Sequence, residues 1–152
     1  MIVVSDTTAI TTLLKAGMEG LLPELFENVT IPQGVWDELL AFHSRLPNSI
    51  LLHGVGRADR RLPETASLGR GEAEAITLAK EINADLLLTD DLKARSIATS
   101  LNIKCTGLLG LLIRAKQRGQ ISSVREAMGR LEARGGLYLS DAVKAEALRL
   151  AG

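Results

Sequence analysis

With 152 residues, 46% of them apolar and only 3% aromatic, the chain has the length and the aliphatic content for one domain, 1–152, with a substantial core. That balance suits helices packed on a buried sheet and disfavours an all-β sandwich. Eighteen basic residues offset eighteen acidic ones, which excludes a positive field over the whole molecule, so any site for a polyanion has to be local.

The opening Met1-Ile2-Val3-Val4-Ser5-Asp6 lacks the basic n-region of a secretory signal. No apolar run reaches the ~20 residues a membrane span needs. The expectation is a cytoplasmic protein with no membrane association. Ile2, Val3 and Val4 form a continuous apolar run ending at Ser5-Asp6, the pattern of a strand buried on both faces. Ile10, Leu13 and Leu14 then recur at helical spacing until Gly17 stops the helix. A second helix is expected near 19–26 and a short strand at 29–31, after which Pro32 stands where a helix can begin. Val35, Leu39 and Phe42 mark the apolar stripe of that helix.

From 47 to 69 the periodicity weakens to a strand at 50–52 and a loop over 54–68 that carries Arg57, Arg60 and Arg61. Gly69-Arg70-Gly71 is too short for a phosphate-cradling Walker loop, and leads into a helix over 72–82. A buried strand at 85–89 ends at Asp90-Asp91, a helix follows at 92–101, and a short strand at 103–106 contains the lone Cys105. Without a cysteine or histidine at metal-ligand spacing, that residue reads as a buried thiol in a reducing compartment. The remainder is helical with breaks near Gly119 and Gly135-Gly136. Alternating strands and helices indicate βαβ units and the α/β class.

Ligands of a parallel α/β sheet gather outside the carboxyl ends of its strands, where Asp6 and the Asp90-Asp91 pair both fall. Converging carboxylates are what a hard divalent cation requires of a protein. Capping of the following helix is the competing account for each aspartate alone. Glu72 shares a helix face with Ala75, Ile76 and Ala79, and a carboxylate heading an apolar stripe is costly unless it is paired or binds a metal. The first-turn dipole is the alternative explanation. Glu74, rotated roughly 200° from that face, is expected in solvent. Glu38 lies within the stripe of the preceding helix, with Asp37 turned away.

These features together resemble the PIN-domain family, particularly its compact branch related to VapC-type toxins of toxin–antitoxin pairs. The carriers are Val4-Ser5-Asp6-Thr7, Ile31-Pro32 followed by Val35 and Glu38, GRGEAEAITLA at 69–79 and LLLTDD at 86–91; GLLGLLIRAKQRGQI at 107–121 and the closing LSDAVKAEALRLAG resemble one subgroup of it. The resemblance implies a three-layer α/β/α sandwich on a parallel central sheet. It also implies Mg²⁺ or Mn²⁺ as cofactor and hydrolysis of RNA phosphodiesters. Carried over by position, Asp6, Glu38, Glu72 and Asp91 are the catalytic acids, and Asp6, Glu72, Asp90 and Asp91 the metal ligands. Asp91 fits the family's Thr-x-Asp pattern as main ligand, with Asp90 as helper or alternate. Glu72 departs from the commoner aspartate at its place.

Ser5, Thr7 and Thr89 are candidates for orienting a carboxylate or a water. Arg57, Arg60, Arg61, Arg70, Lys93 and Arg95 are candidates for RNA phosphates. The scarcity of aromatics argues against a broad base-stacking platform. His43 and His53 have no partner at nucleophile–base spacing. Two rivals stand beside a nuclease: a PIN-like module that binds RNA or protein without cutting, and a receiver-like phospho-acceptor. The second lacks an acidic pair after the first strand. An antitoxin protein is the partner the resemblance implies, and the apolar run at 108–113 points to a helical homodimer surface.

Overall fold

Five short strands, β1 (Val3–Ser5), β2 (Val29–Ile31), β3 (Ile50–Leu52), β4 (Leu86–Leu88) and β5 (Cys105–Thr106), form one sheet in the order β3-β2-β1-β4-β5. Every pairing is parallel. The computed structural model describes residues 1–53 and 61–151. Residues 54–60 of the predicted loop, with Arg57 and Arg60, lie outside the described residues.

Among the described residues eight helices surround the sheet: α1 (Thr7–Ala16), α2 (Leu21–Phe26), α3 (Gln33–Phe42), α4 (Arg70–Glu81), α5 (Leu92–Ser100), α6 (Leu108–Gln117), α7 (Val124–Ala133) and α8 (Asp141–Ala151), with one 3₁₀ turn at Pro63–Thr65. Their packing sorts them into two sets. Helix α4 packs on β1, β4 and α5, whereas α1, α2, α6, α7 and α8 pack on one another, and α3 touches both α1 and α4. This is an α/β fold with helices around a parallel sheet, as the strand–helix alternation predicts.

The strands are short but buried at the centre of the sheet: β1 and β4 are covered along their full length, the pattern of a sheet packed on both faces. Gly17 ends α1 in the left-handed region, φ +67°, and its N–H meets the Leu13 and Leu14 carbonyls. Only glycine takes that conformation without a Cβ penalty. Pro32 caps α3 from just outside it.

Two apolar expectations change. Phe42 is 84% exposed, because the buried stripe of α3 ends at Leu39 and Phe42 is the last residue of the helix. In the 108–113 run, Leu108, Leu111 and Leu112 are buried inside this chain. Leu109, Gly110 and Ile113 face outward, into an apolar groove of about 380 Å³ shared with Val143, Ala147 and Leu150 of α8. No helix among the described residues is long and apolar enough to cross a membrane.

Candidate active site

The strand order reverses between β1 and β4, and ligands of open α/β sheets bind at such a switch point. Asp6 stands directly after β1 and is tied to β4 by its own N–H, which donates to the Leu88 carbonyl at 3.0 Å. Its side chain is 3% exposed and accepts from the Ala9 N–H at 3.1 Å, capping α1. Burial pushes its pKa up to about 6, against the opposing hydrogen bonds of the Thr89 hydroxyl and the Ala9 amide; the charges of Asp90 and Glu72 add to the rise. Asp6 therefore caps its helix while standing within electrostatic range of Asp90 and Glu72.

The Asp90-Asp91 pair spreads across the crevice. Asp90 is half-buried, accepts from the Leu108 N–H at 3.1 Å, and lies within electrostatic range of Asp6. Burial raises its pKa, and the Leu108 amide and Arg95 oppose that rise. A methyl group on Gly107 would overlap its carboxylate, so glycine at 107 is what lets Asp90 reach the first turn of α6. Asp91 is exposed, caps α5 through the Ala94 N–H at 2.8 Å, and acts on Glu72.

Glu72 is raised by burial and then by the charges of Asp91 and Glu38, with the Gly69 backbone opposing. It shares with Glu38, Thr7, Thr8, Gly69 and Gly71 a cavity of about 200 Å³. Glu38 is held at both oxygens: one accepts from the Gly71 N–H at 3.1 Å, the other from the Thr7 hydroxyl. The acid from α3 thus caps the N-terminus of α4.

The reverse contact also exists. Glu74 of α4 accepts from the Gly34 N–H at the start of α3, at 3.1 Å, and from Arg70 at 2.8 Å, and is only 5% exposed. This corrects the expectation of a solvated Glu74. Helix α4 is buried on more than one side, by the sheet and by α3, so a single-stripe reading of it fails. At both caps a Cβ on the glycine would overlap the glutamate, which explains glycine at 34 and at 71.

The hydroxyls divide. Thr89 is buried and links two acids, bonding to Asp6 and accepting from the Asp91 N–H at 3.3 Å. Thr7 orients Glu38. Ser5 donates instead to the Asp6 backbone carbonyl at 2.9 Å and, among the described residues, orients no carboxylate.

Among the basic candidates, Arg70 is paired with Asp37 and Glu74, and Arg61 lies 3.8 Å from Glu74. Both serve protein carboxylates, which weakens them as phosphate contacts. Lys93 is exposed on α5, and Arg95 sits beside Asp90. Cys105 is half-buried rather than buried, and burial holds its thiol protonated.

The donor set fits a hard divalent cation. Beyond burial, Asp90 and Glu72 raise the pKa of Asp6, and Asp91 and Glu38 that of Glu72; the groups opposing the rise at these two residues are backbone groups and a hydroxyl, not cations. Among the described residues no three acidic, histidine or cysteine side chains stand close enough to share one ion. Mg²⁺ commonly takes one or two carboxylates and keeps its remaining waters, and Asp6 with Asp90 offers such a pair.

A family model described as a PIN domain matches residues 2–152. No curated protein matches the chain. A PilT N-terminus domain protein from the hyperthermophilic archaeon Sulfolobus solfataricus P2 is similar in structure, with a TM-score of 0.52 and 20% identity over 73% of this chain and 90% of that one; the likeness is one of fold. With carboxylates gathered at the switch point and the family model spanning almost the whole sequence, the chain belongs to the PIN-domain family, whose members are generally nucleases that use divalent metal ions.

Proposed function

We propose that the protein is a Mg²⁺- or Mn²⁺-dependent endoribonuclease. The observation that carries the reading is the buried Asp6, whose pKa of about 6 reflects burial and the neighbouring charges of Asp90 and Glu72. Asp6 and Glu72, raised by neighbouring acids with no cation opposing, are destabilising for the empty protein and suited to a cation. Asp6 and Asp90 would hold the ion, in place of the Asp91 that the sequence favours as main ligand, because Asp90 is the member of the pair whose charge acts on Asp6; Glu72 and Asp91 would reach it through water. When bound, such an ion acidifies water and offsets charge on the phosphate oxygens.

The chain's own residues set the stage for this chemistry. Thr89 fixes Asp6 and, through the Asp91 amide, the turn after β4. Leu108 fixes Asp90. Glu38, locked between Thr7 and the Gly71 amide, forms a wall of the crevice beside Glu72 and places negative charge near it.

Incubation of the purified chain with mixed-sequence single-stranded RNA and Mg²⁺ or Mn²⁺ is expected to give internal cuts. Chelation should stop them, and Asp90→Asn should reduce them on the order of a hundredfold or more. RNA bound but left intact across both metals would instead identify a binding module without turnover. The reading extends to a toxin countered by an antitoxin protein, supported by the sequence resemblance, and to a homodimer through Leu109, Ile113 and the exposed face of α8. A monomeric sedimentation mass at micromolar concentration removes the dimer from it.

A further inference from the structure

A groove of about 630 Å³ runs along the open edge of β5, with Arg95 of α5, Lys104 and Arg114 of α6 on its walls and Leu86, Ile103 and Cys105 among its lining. Three cations from three parts of the chain meet there. No carboxylate lies within ion-pair distance of any of them among the described residues. Arg95 and Arg114 are half-buried and Lys104 is exposed. Arg114 is also braced over the Phe26 ring, 5.5 Å from its centroid, which holds its position.

The groove adjoins the acidic crevice at Arg95. Arg95 acts on Asp90 from one side, and at Gly107 a Cβ would meet both the Asp90 carboxylate and, at 3.4 Å, an Arg95 Nη1 atom. Asp90 and the first cation of the groove therefore meet at the turn from β5 into α6. We infer that this groove takes the phosphodiester backbone of single-stranded RNA flanking the bond at the acidic centre, an assignment that rests on the nuclease reading for the role of that centre. A peptide strand pairing with the β5 edge is the competing occupant. A two-residue strand offers too few backbone pairs for strand addition, whereas three cations on one groove, of which only Arg95 has a carboxylate, Asp90, nearby, match a polyanion.

The experiment pairs metal-free binding with metal-dependent cleavage. In EDTA, fluorescence anisotropy with a labelled mixed-sequence single-stranded RNA about twelve nucleotides long is expected to show Lys104→Glu and Arg114→Gln weakening affinity, each by roughly fivefold or more. The log–log salt slope should fall by about 0.7 for each phosphate no longer neutralised. Arg125→Glu, an exposed charge on α7 outside the groove, should leave both unchanged. With metal, Lys104→Glu should raise KM for the long RNA and leave kcat near wild type, the mark of weakened uniform binding. A dinucleotide substrate should be indifferent to it.

Wild-type affinity and salt slope in the Lys104→Glu, Arg114→Gln double variant, with cleavage intact, would overturn the groove and spare the nuclease. Groove-dependent RNA binding without cleavage in either metal would do the reverse. Binding of an acidic peptide such as poly-glutamate at Lys104, with no RNA binding, would give the groove to a peptide and also overturn the proposal. Since Arg114 packs on Phe26, melting curves of its variant accompany the measurement, and the exposed Lys104 carries the test if that variant unfolds.

Discussion

Asp6→Asn is expected to abolish metal-dependent RNA cleavage and, at the same time, to raise the melting temperature of the metal-free protein at neutral pH. Asparagine keeps an oxygen for the Ala9 N–H and is as good an N-cap as aspartate. It removes a charge that the fold holds in a dry place beside Asp90 and Glu72. The folded-state pKa of Asp6, about 6, lies above its ordinary value of 3.8, so the folded form binds the proton more tightly than the unfolded chain does. Stability from this group is fully present below pH 3.8 and is lost as pH rises through 6. The gap corresponds to about 3 kcal/mol at most.

Wild type and Asp6→Asn should therefore melt together near pH 4 and separate above pH 6, by roughly 5–10 °C at pH 7.5 for a chain of this size. Adding Mn²⁺ should raise the wild-type melting temperature and leave the variant where it was, because only a state that binds the ion is stabilised by it. Calorimetric scans across pH, with and without metal, read both effects. A variant that melts lower than wild type at pH 7.5 in EDTA contradicts the account of Asp6 as a destabilising buried carboxyl.

Glu74→Ala should lower stability by on the order of 2–4 kcal/mol, a large effect for an acidic residue outside the crevice. It strips the acceptor from the Gly34 amide at the head of α3 and a carboxylate from Arg70 and Arg61. Arg70 keeps Asp37, which limits the loss. Glu74→Gln retains an oxygen for Gly34 and should lie between the two. Urea unfolding gives the comparison, and a Glu74→Ala midpoint equal to wild type would mean that Glu74 is solvated after all.

Glu74 also marks the boundary of what a single sequence discloses. The strands are legible because runs such as Val3-Val4 and Leu86-Leu87-Leu88 are apolar without alternation, and Asp6 and the Asp90-Asp91 pair are legible as candidates because they follow those runs closely, with Asp91 the member the sequence favours. The family motifs add Glu38. What stays hidden depends on a second element far along the chain. A helical wheel of α4 shows one apolar stripe but gives no sign that α3 covers another side, and nothing local to Arg70 says that Asp37 and Glu74 take its charge. Lys104 and Arg114 escape for the same reason, since the groove exists only once α5, β5 and α6 are brought together. At Ser5, the hydroxyl's preference for the neighbouring carbonyl is a matter of rotamer, which sequence pattern does not encode.

The crossed glutamates of α3 and α4 have a mechanical meaning. Each helix head is closed by an acid from the other, so freeing the Gly71 amide leaves Glu38 tethered by Thr7 alone, and freeing the Gly34 amide leaves Glu74 to its arginines. The two helices form a latch that resists opening from either end, and the latch carries both Glu38 and Glu72. Local unfolding there dismantles one side of the crevice as a unit. Whatever binds between those acids in their closed arrangement holds the latch shut by mass action.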